Sequence, residues 1–79
     1  MKKLIKTINE ARKAKSELKL NIRLKHNGRF SSIKGHVKDM KISIEGETYV
    51  VIRGGKHDYQ TVPLDNVLAV VRDGEVVKR

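Results

Sequence analysis

From Lys2 to about Glu17 the chain has no glycine or proline, and Leu4, Ile5, Ile8, Ala11 and Leu18 recur every three or four positions. That spacing lines one stripe of an α-helix, with Lys2, Lys3, Lys6, Arg12, Lys13 and Lys15 lying mainly off it. The stripe is narrow, so the helix is expected to pack across one mouth or face of another element. At Leu18 the period drops to two. Leu18, Leu20, Ile22 and Leu24 alternate with Lys19, Asn21, Arg23 and Lys25, the pattern of a half-buried strand with one apolar and one basic face.

Asn27-Gly28 is a residue pair favoured in a two-residue type I′ hairpin turn, and the next strand starts at Arg29. Phe30 and Ile33 differ in parity, which calls for a β-bulge at Ser31-Ser32 before the row Ile33, Gly35, Val37. A tight connection is expected near Asp39, then alternation at Met40, Ile42 and Ile44 and a turn at Glu45-Gly46-Glu47. The strand 48–53 contains Tyr49-Val50-Val51-Ile52, apolar enough for burial on both faces, and Phe30 and Tyr49 read as core. Gly54-Gly55-Lys56-His57-Asp58 is a loop, 59–62 a short strand, and Pro63-Leu64-Asp65-Asn66 one helical turn. The last firm strand is 67–72, and Asp73-Gly74 folds 75–78 back on it.

These elements predict one mainly β domain. It has an N-terminal helix (2–17), a five- or six-stranded, strongly bent antiparallel small β-barrel (18–72) and a short C-terminal hairpin or tail (73–79). A flat sheet crossed by one helix is the structural alternative.

Composition narrows the setting. The 79 residues contain no cysteine, which excludes a disulfide framework and thiolate metal sites and favours an intracellular, cytoplasmic protein. No apolar run is long enough to span a bilayer, and the basic start is not followed by the apolar region of a signal peptide. Net charge is +9, unevenly spread. Residues 1–41 hold 13 Lys/Arg against Glu10, Glu17 and Asp39, a balance of +10, whereas residues 42–79 hold 5 against 6 carboxylates, a balance of −1. A one-sided basic field attracts polyanions, while a surface built only for solubility usually mixes the two signs.

The segment Leu20-x-Ile22-x-Leu24, Asn27-Gly28-Arg29, Ile33-x-Gly35-x-Val37, Asp39, Ile42-x-Ile44 is similar in order to the first Sm motif of the Sm-like RNA-binding family that includes Hfq. The stretch from Thr61 to Val71 resembles the short turn and final strand of Sm-like and SH3-like barrels. A related resemblance is to YolD-like proteins, small bacterial and phage proteins with an I-x-G-x-I element. The likeness covers roughly residues 18–71 and implies a small bent barrel, with nucleic acid as one class of ligand.

The candidate chemistry follows the charge. Lys19, Arg23, Lys25, Arg29, Lys34 and Lys38 are expected to project to one side of the first hairpin, with His26 and Asn27 at its tip, and Lys6, Arg12 and Lys13 extend this surface along the helix. Such cations release counterions on meeting phosphates and bind nucleic acid without reading sequence. A second candidate is the glycine loop, where Arg53 and Lys56 could meet phosphate and Tyr59 stack a base. It lacks the P-loop spacing. Phe30, Tyr49 and Tyr59 are the only aromatics, so phosphate contact is better founded than base reading.

No catalytic spacing joins Ser31, Ser32, His36, His57 and Asp58, and the three histidines form no metal-ligand pattern. The expected function is non-enzymatic DNA or RNA binding, with no cofactor, metal or membrane. The alternative is a small regulatory protein–protein module that docks on an acidic partner, or on another copy through its sheet edges.

Overall fold

In the computed structural model, which describes residues 2–24, 27–55 and 58–79, the first apolar stripe forms helix α1 (Lys2–Ala14), with Leu4, Ile8 and Ala11 fully buried. The helix stops short of the expected Glu17. Lys15 takes φ 54°, its N–H donates to the Arg12 carbonyl at 3.3 Å, and the Ser16 N–H donates to Ala11 at 3.0 Å. This is a Schellman closure, in which one left-handed residue satisfies the last helical carbonyls and turns the chain. Lysine stands where glycine is usual. The turn leaves Glu17 free to begin the first strand.

Six strands follow: β1 (Glu17–Arg23), β2 (Phe30–Ile42), β3 (Thr48–Arg53), β4 (Tyr59–Pro63), β5 (Val67–Arg72) and β6 (Glu75–Lys78). They form one antiparallel sheet in the order β4-β3-β2-β1-β5-β6. A single 3₁₀ turn, Leu64–Asn66, links β4 to β5. The fold is thus mainly β with one N-terminal helix. Its edge strands β4 and β6 are not paired with each other, so the hydrogen-bonded ladder is open.

The even-numbered row Leu18, Leu20 and Ile22 of β1 faces the core, as its alternation requires, and meets Val50 and Ile52 of β3 and Val67 and Val70 of β5. Val62, Leu64 and the buried stripe of α1 complete the cluster. Burial in β3 alternates: Val50 and Ile52 are buried while Tyr49 and Val51 are half-buried, so this run is covered on one face rather than two. Asp73 (φ 51°) and Gly74 (φ 80°) fold 75–78 back as expected, and their positive φ angles are those of a two-residue type I′ turn between Arg72 and Glu75.

The path of β2 corrects several expectations. It is one 13-residue strand that continues through Asp39 without a connection there. Its pairing with β1 runs unbroken from Arg23↔Phe30 to Glu17↔His36, so Ser31-Ser32 holds no bulge. The irregularity lies between Val37 and Asp39, where Lys38 is the extra residue against β3. Parity explains the shift. Val37 and Met40 both pack toward the core, and an odd and an even position can share a face only across an inserted residue. Ser31 and Ser32 are exposed, so burial imposes no parity on them.

The first hairpin also differs. The Leu24 N–H donates to the Arg29 carbonyl and the Gly28 N–H to the Leu24 carbonyl, both at 2.8 Å, so Arg29 closes against Leu24 and the turn is not centred on Asn27-Gly28. Gly28 has φ 67°, and Asn27 accepts the Arg29 N–H on Oδ1 at 2.9 Å. The two-residue type I′ turn is therefore absent. Phe30, expected in the core, is 75 % exposed because its register with Arg23 puts it on the outward row.

A Cβ on Gly35 would press on the Arg53 carbonyl oxygen, 2.7 Å from its carbon and 2.9 Å from Gly54 Cα. The end of β3 thus folds back over β2 at this glycine, the close approach through which the sheet bends. Among the described residues, no helix is long and apolar enough to cross a membrane.

Candidate nucleic-acid interface

Strand register decides which cations share a face. Opposite the core row, β1 presents Glu17, Lys19, Asn21 and Arg23, paired in turn with His36, Lys34, Ser32 and Phe30 of β2. Lys19 and Lys34 are directly opposite, so their Cβ atoms are about 5 Å apart. Like charges in that position repel and reduce stability. Glu17 offsets part of this, with Oε1 3.4 Å from Lys34 Nζ across a solvent-exposed gap. Arg23 continues the row toward the hairpin loop, its guanidinium lying beside Gly28.

The same row extends across β3 and β4. His36 pairs with Arg53, and Arg53 with Tyr59, which is 49 % exposed. The outward face therefore runs from Phe30 and Arg23, through Lys19 and Lys34, to His36, Arg53 and Tyr59. On the other flank, β5 and β6 add Val71, Val76 and Lys78 to these rows.

Beyond His36 the surface becomes concave. A cavity of about 400 Å³ is lined by Arg12, Lys15, His36, Val37, Lys38 and Arg53. Three local features build it. The Schellman turn brings Lys15 to the end of α1, the bulge places Lys38 as the extra residue against β3, and the fold-back at Gly35 brings the end of β3 alongside. Arg12 is held by Asp39, whose Oδ1 lies 3.3 Å from Nη1 and also accepts the Met40 N–H at 2.8 Å. None of the lining residues is acidic. Among the described residues, Lys15, Lys38 and Arg53 have no ion-pair partner.

No family model, curated protein or solved structure matches this chain. Its chemistry is therefore read from the site alone.

Of the residues expected on the basic surface, Lys19, Arg23 and Lys34 share the outward face, while Arg12, Lys38 and Arg53 meet in the cavity, with Tyr59 at its margin through the Arg53 pair. Asn27 is exposed at the hairpin tip, its side chain engaged in the turn. Arg29 does not join the face. It pairs with Leu24, so its register is that of the inward row. Lys38 lies beyond the β1–β2 pairing, as the extra residue against β3, and lines the cavity together with His36. Lys25 and Lys56, with His26 and His57, lie outside the described residues.

Lys13 is exposed on α1 and lines neither region. Lys6 lies elsewhere, in a cleft between α1 and the β5–β6 turn where Lys3, Lys6 and Arg72 face Glu10, Asp73 and Glu75. There Arg72 Nη1 is 3.3 Å from Glu10 Oε2 and Nη2 is 3.4 Å from the Ser16 hydroxyl, so the cleft is balanced in charge. The helix therefore contributes to the basic surface through its last turn, not its first.

Sequence reasoning missed Lys15, His36 and Lys78. His36 shares the outward parity of Lys34, and Lys15 follows Arg12 by three positions, so both had a local signal. Lys78 had none, since its place depends on pairing with Ala69. The Tyr49 hydroxyl donates to Glu47 Oε2 at 2.6 Å, and that hydrogen bond, with some burial and the nearby Glu47 and Glu45 charges, raises its pKa. Among the described residues, no cluster of His, Asp or Glu is arranged to hold a metal ion.

Proposed function

We propose that this chain is a non-enzymatic, cytoplasmic nucleic-acid-binding protein that takes the phosphate backbone of DNA or RNA along the outward face of β1 and β2. One observation carries the reading: Lys19 stands in register against Lys34 on an exposed face that continues into a cavity lined by five basic side chains and no carboxylate. Such a face works against its own stability until a polyanion neutralises it. Phe30 beside Arg23 and Tyr59 beside Arg53 add exposed rings near both ends of the row, where unpaired bases can stack. The bend at Gly35, the order of the strands and the single turn before β5 favour the small Sm-like or SH3-like barrel as the underlying fold.

Charge reversal tests the face. Lys19→Glu with Lys34→Glu should weaken binding to an oligonucleotide at about 50 mM salt by at least about tenfold. The control Lys3→Glu with Lys6→Glu, in the balanced cleft, should weaken it by less than about threefold. Equal effects would place the binding elsewhere.

A second reading rests on Ile42 and Ile44, which are 74 % and fully exposed at the β2–β3 hairpin. They suit contact with a protein partner. Recovery of one stoichiometric partner that resists nuclease and high salt would favour that reading.

A further inference from the structure

We propose that the cavity between the end of α1, the β2 bulge and the end of β3 is a phosphomonoester site, which seats the terminal phosphate of a strand lying on the basic face. The inference rests on the nucleic-acid reading above and adds to it a defined chemical group at a defined place.

The cavity differs from the open face in shape and in charge density. Along β1 and β2, cations follow one another down a surface, an arrangement that suits phosphodiesters carrying one charge each. In the cavity, Arg12, Lys15, Lys38 and Arg53 converge on about 400 Å³, with His36 in the same wall. Asp39 offsets only Arg12, Glu17 stands in register opposite His36 but pairs with Lys34, and Asp58 sits beside Gly54 in the β3–β4 loop. Three of the four cations are left without an ion-pair partner among the described residues. A monoester carries about −1.5 to −2 at neutral pH and presents three strong acceptor oxygens, against one charge for a diester. It is the phosphate form that several converging donors can satisfy together.

Preorganisation supports the same assignment. The Asp39 carboxylate holds one end of the Arg12 guanidinium, as it also accepts the Met40 N–H in the bulge. Arginine forks suit phosphate oxygens two at a time, and Arg12 and Arg53 reach the cavity from different elements, α1 and β3. The outward row of β2 leads into the site, since Lys34 and His36 are neighbours on one face. A strand held on Lys19 and Lys34 can thus end in it.

The bland account is that Arg12 and Lys15 complement the negative end of the helix dipole. That explains two of the cations, but not Lys38 or Arg53, which come from other elements.

The test compares oligonucleotides of roughly eight nucleotides bearing a 5′-phosphate, a 3′-phosphate or hydroxyls at both ends. A hydroxyl-ended chain lengthened to match the total charge serves as control. One phosphorylated form should bind about tenfold tighter than the charge-matched control. Lys38→Gln with Arg53→Gln should abolish that preference, so that phosphorylated and charge-matched hydroxyl-ended oligonucleotides bind this variant equally. Inorganic pyrophosphate should compete for the preference alone. If pyrophosphate binds the cavity but neither phosphorylated end is preferred, the site takes free polyphosphate and the strand-end assignment is overturned. Equal binding of all oligonucleotides, without pyrophosphate binding, overturns the site and leaves the basic face standing. A preference that survives the double substitution also overturns it. Absence of binding by every oligonucleotide would instead sink the nucleic-acid reading itself.

Discussion

Asp39 fastens Arg12: one carboxylate oxygen lies 3.3 Å from the guanidinium and also accepts the Met40 N–H, tying the last turn of α1 to the bulge of β2. Both side chains are more than a third exposed, so solvent screens the pair. Its value to the fold is small. Its value to the site is positional, because it sets Arg12 in the cavity wall.

Asp39→Asn keeps an acceptor for Met40 but removes the charge that holds Arg12. Urea denaturation should show a loss of no more than about 1 kcal/mol. A loss of several kcal/mol would mean that the pair is structural rather than positional.

Gly35→Ala should be far more damaging. The new methyl would meet the backbone of Arg53 and Gly54, which cannot swing aside as a long side chain can. The cost is expected at about 3 kcal/mol, a large part of the stability of so small a domain. Gly46→Ala is the comparison. It has φ 86° but open space around it, so only backbone strain of about 1–2 kcal/mol applies. Equal losses in the two variants would remove the fold-back as the cause of the bend.

The alternation from Leu18 to Leu24 specified the inward row of β1 and hence the outward cations, because burial on one face enforces a period of two. Helix, strand number and the Asp73-Gly74 turn were legible for similar local reasons. The bulge was not. The parity break between Val37 and Met40 was present in the sequence, but it can be resolved either by a turn or by one inserted residue, and only the pairing with β3 decides. The cavity was hidden altogether, since it joins Arg12, Lys38 and Arg53 from three distant segments. Phe30 was misread because hydrophobicity alone does not say on which side of a register a residue falls.

Phe30 is exposed beside Arg23, so removing its ring should leave the fold intact and affect binding. Phe30→Ala is expected to change stability by less than about 0.5 kcal/mol and to weaken single-strand binding by about 1–3 kcal/mol. Unchanged affinity in fluorescence anisotropy would exclude the ring from the interface.

Tyr49 provides a pH signature remote from the basic face. Its hydrogen bond to Glu47 raises its pKa above the ordinary value of 10.0, so the neutral phenol is favoured in the folded state. The associated stability is present below the unfolded pKa and is lost as pH rises through the folded one. Spectrophotometric titration should show one tyrosine ionising late, and Glu47→Gln should bring it back toward the ordinary range. An unchanged titration would mean that the pair does not persist in solution.

Salt dependence tests the central claim most directly. Binding to DNA and RNA oligonucleotides, titrated side by side from about 50 to 200 mM salt, should weaken with a log–log slope on the order of −3 to −6, as expected for about four to seven phosphates. No binding at about 50 mM salt, or affinity that hardly changes across the range, would contradict a phosphate-binding face built around Lys19 and Lys34.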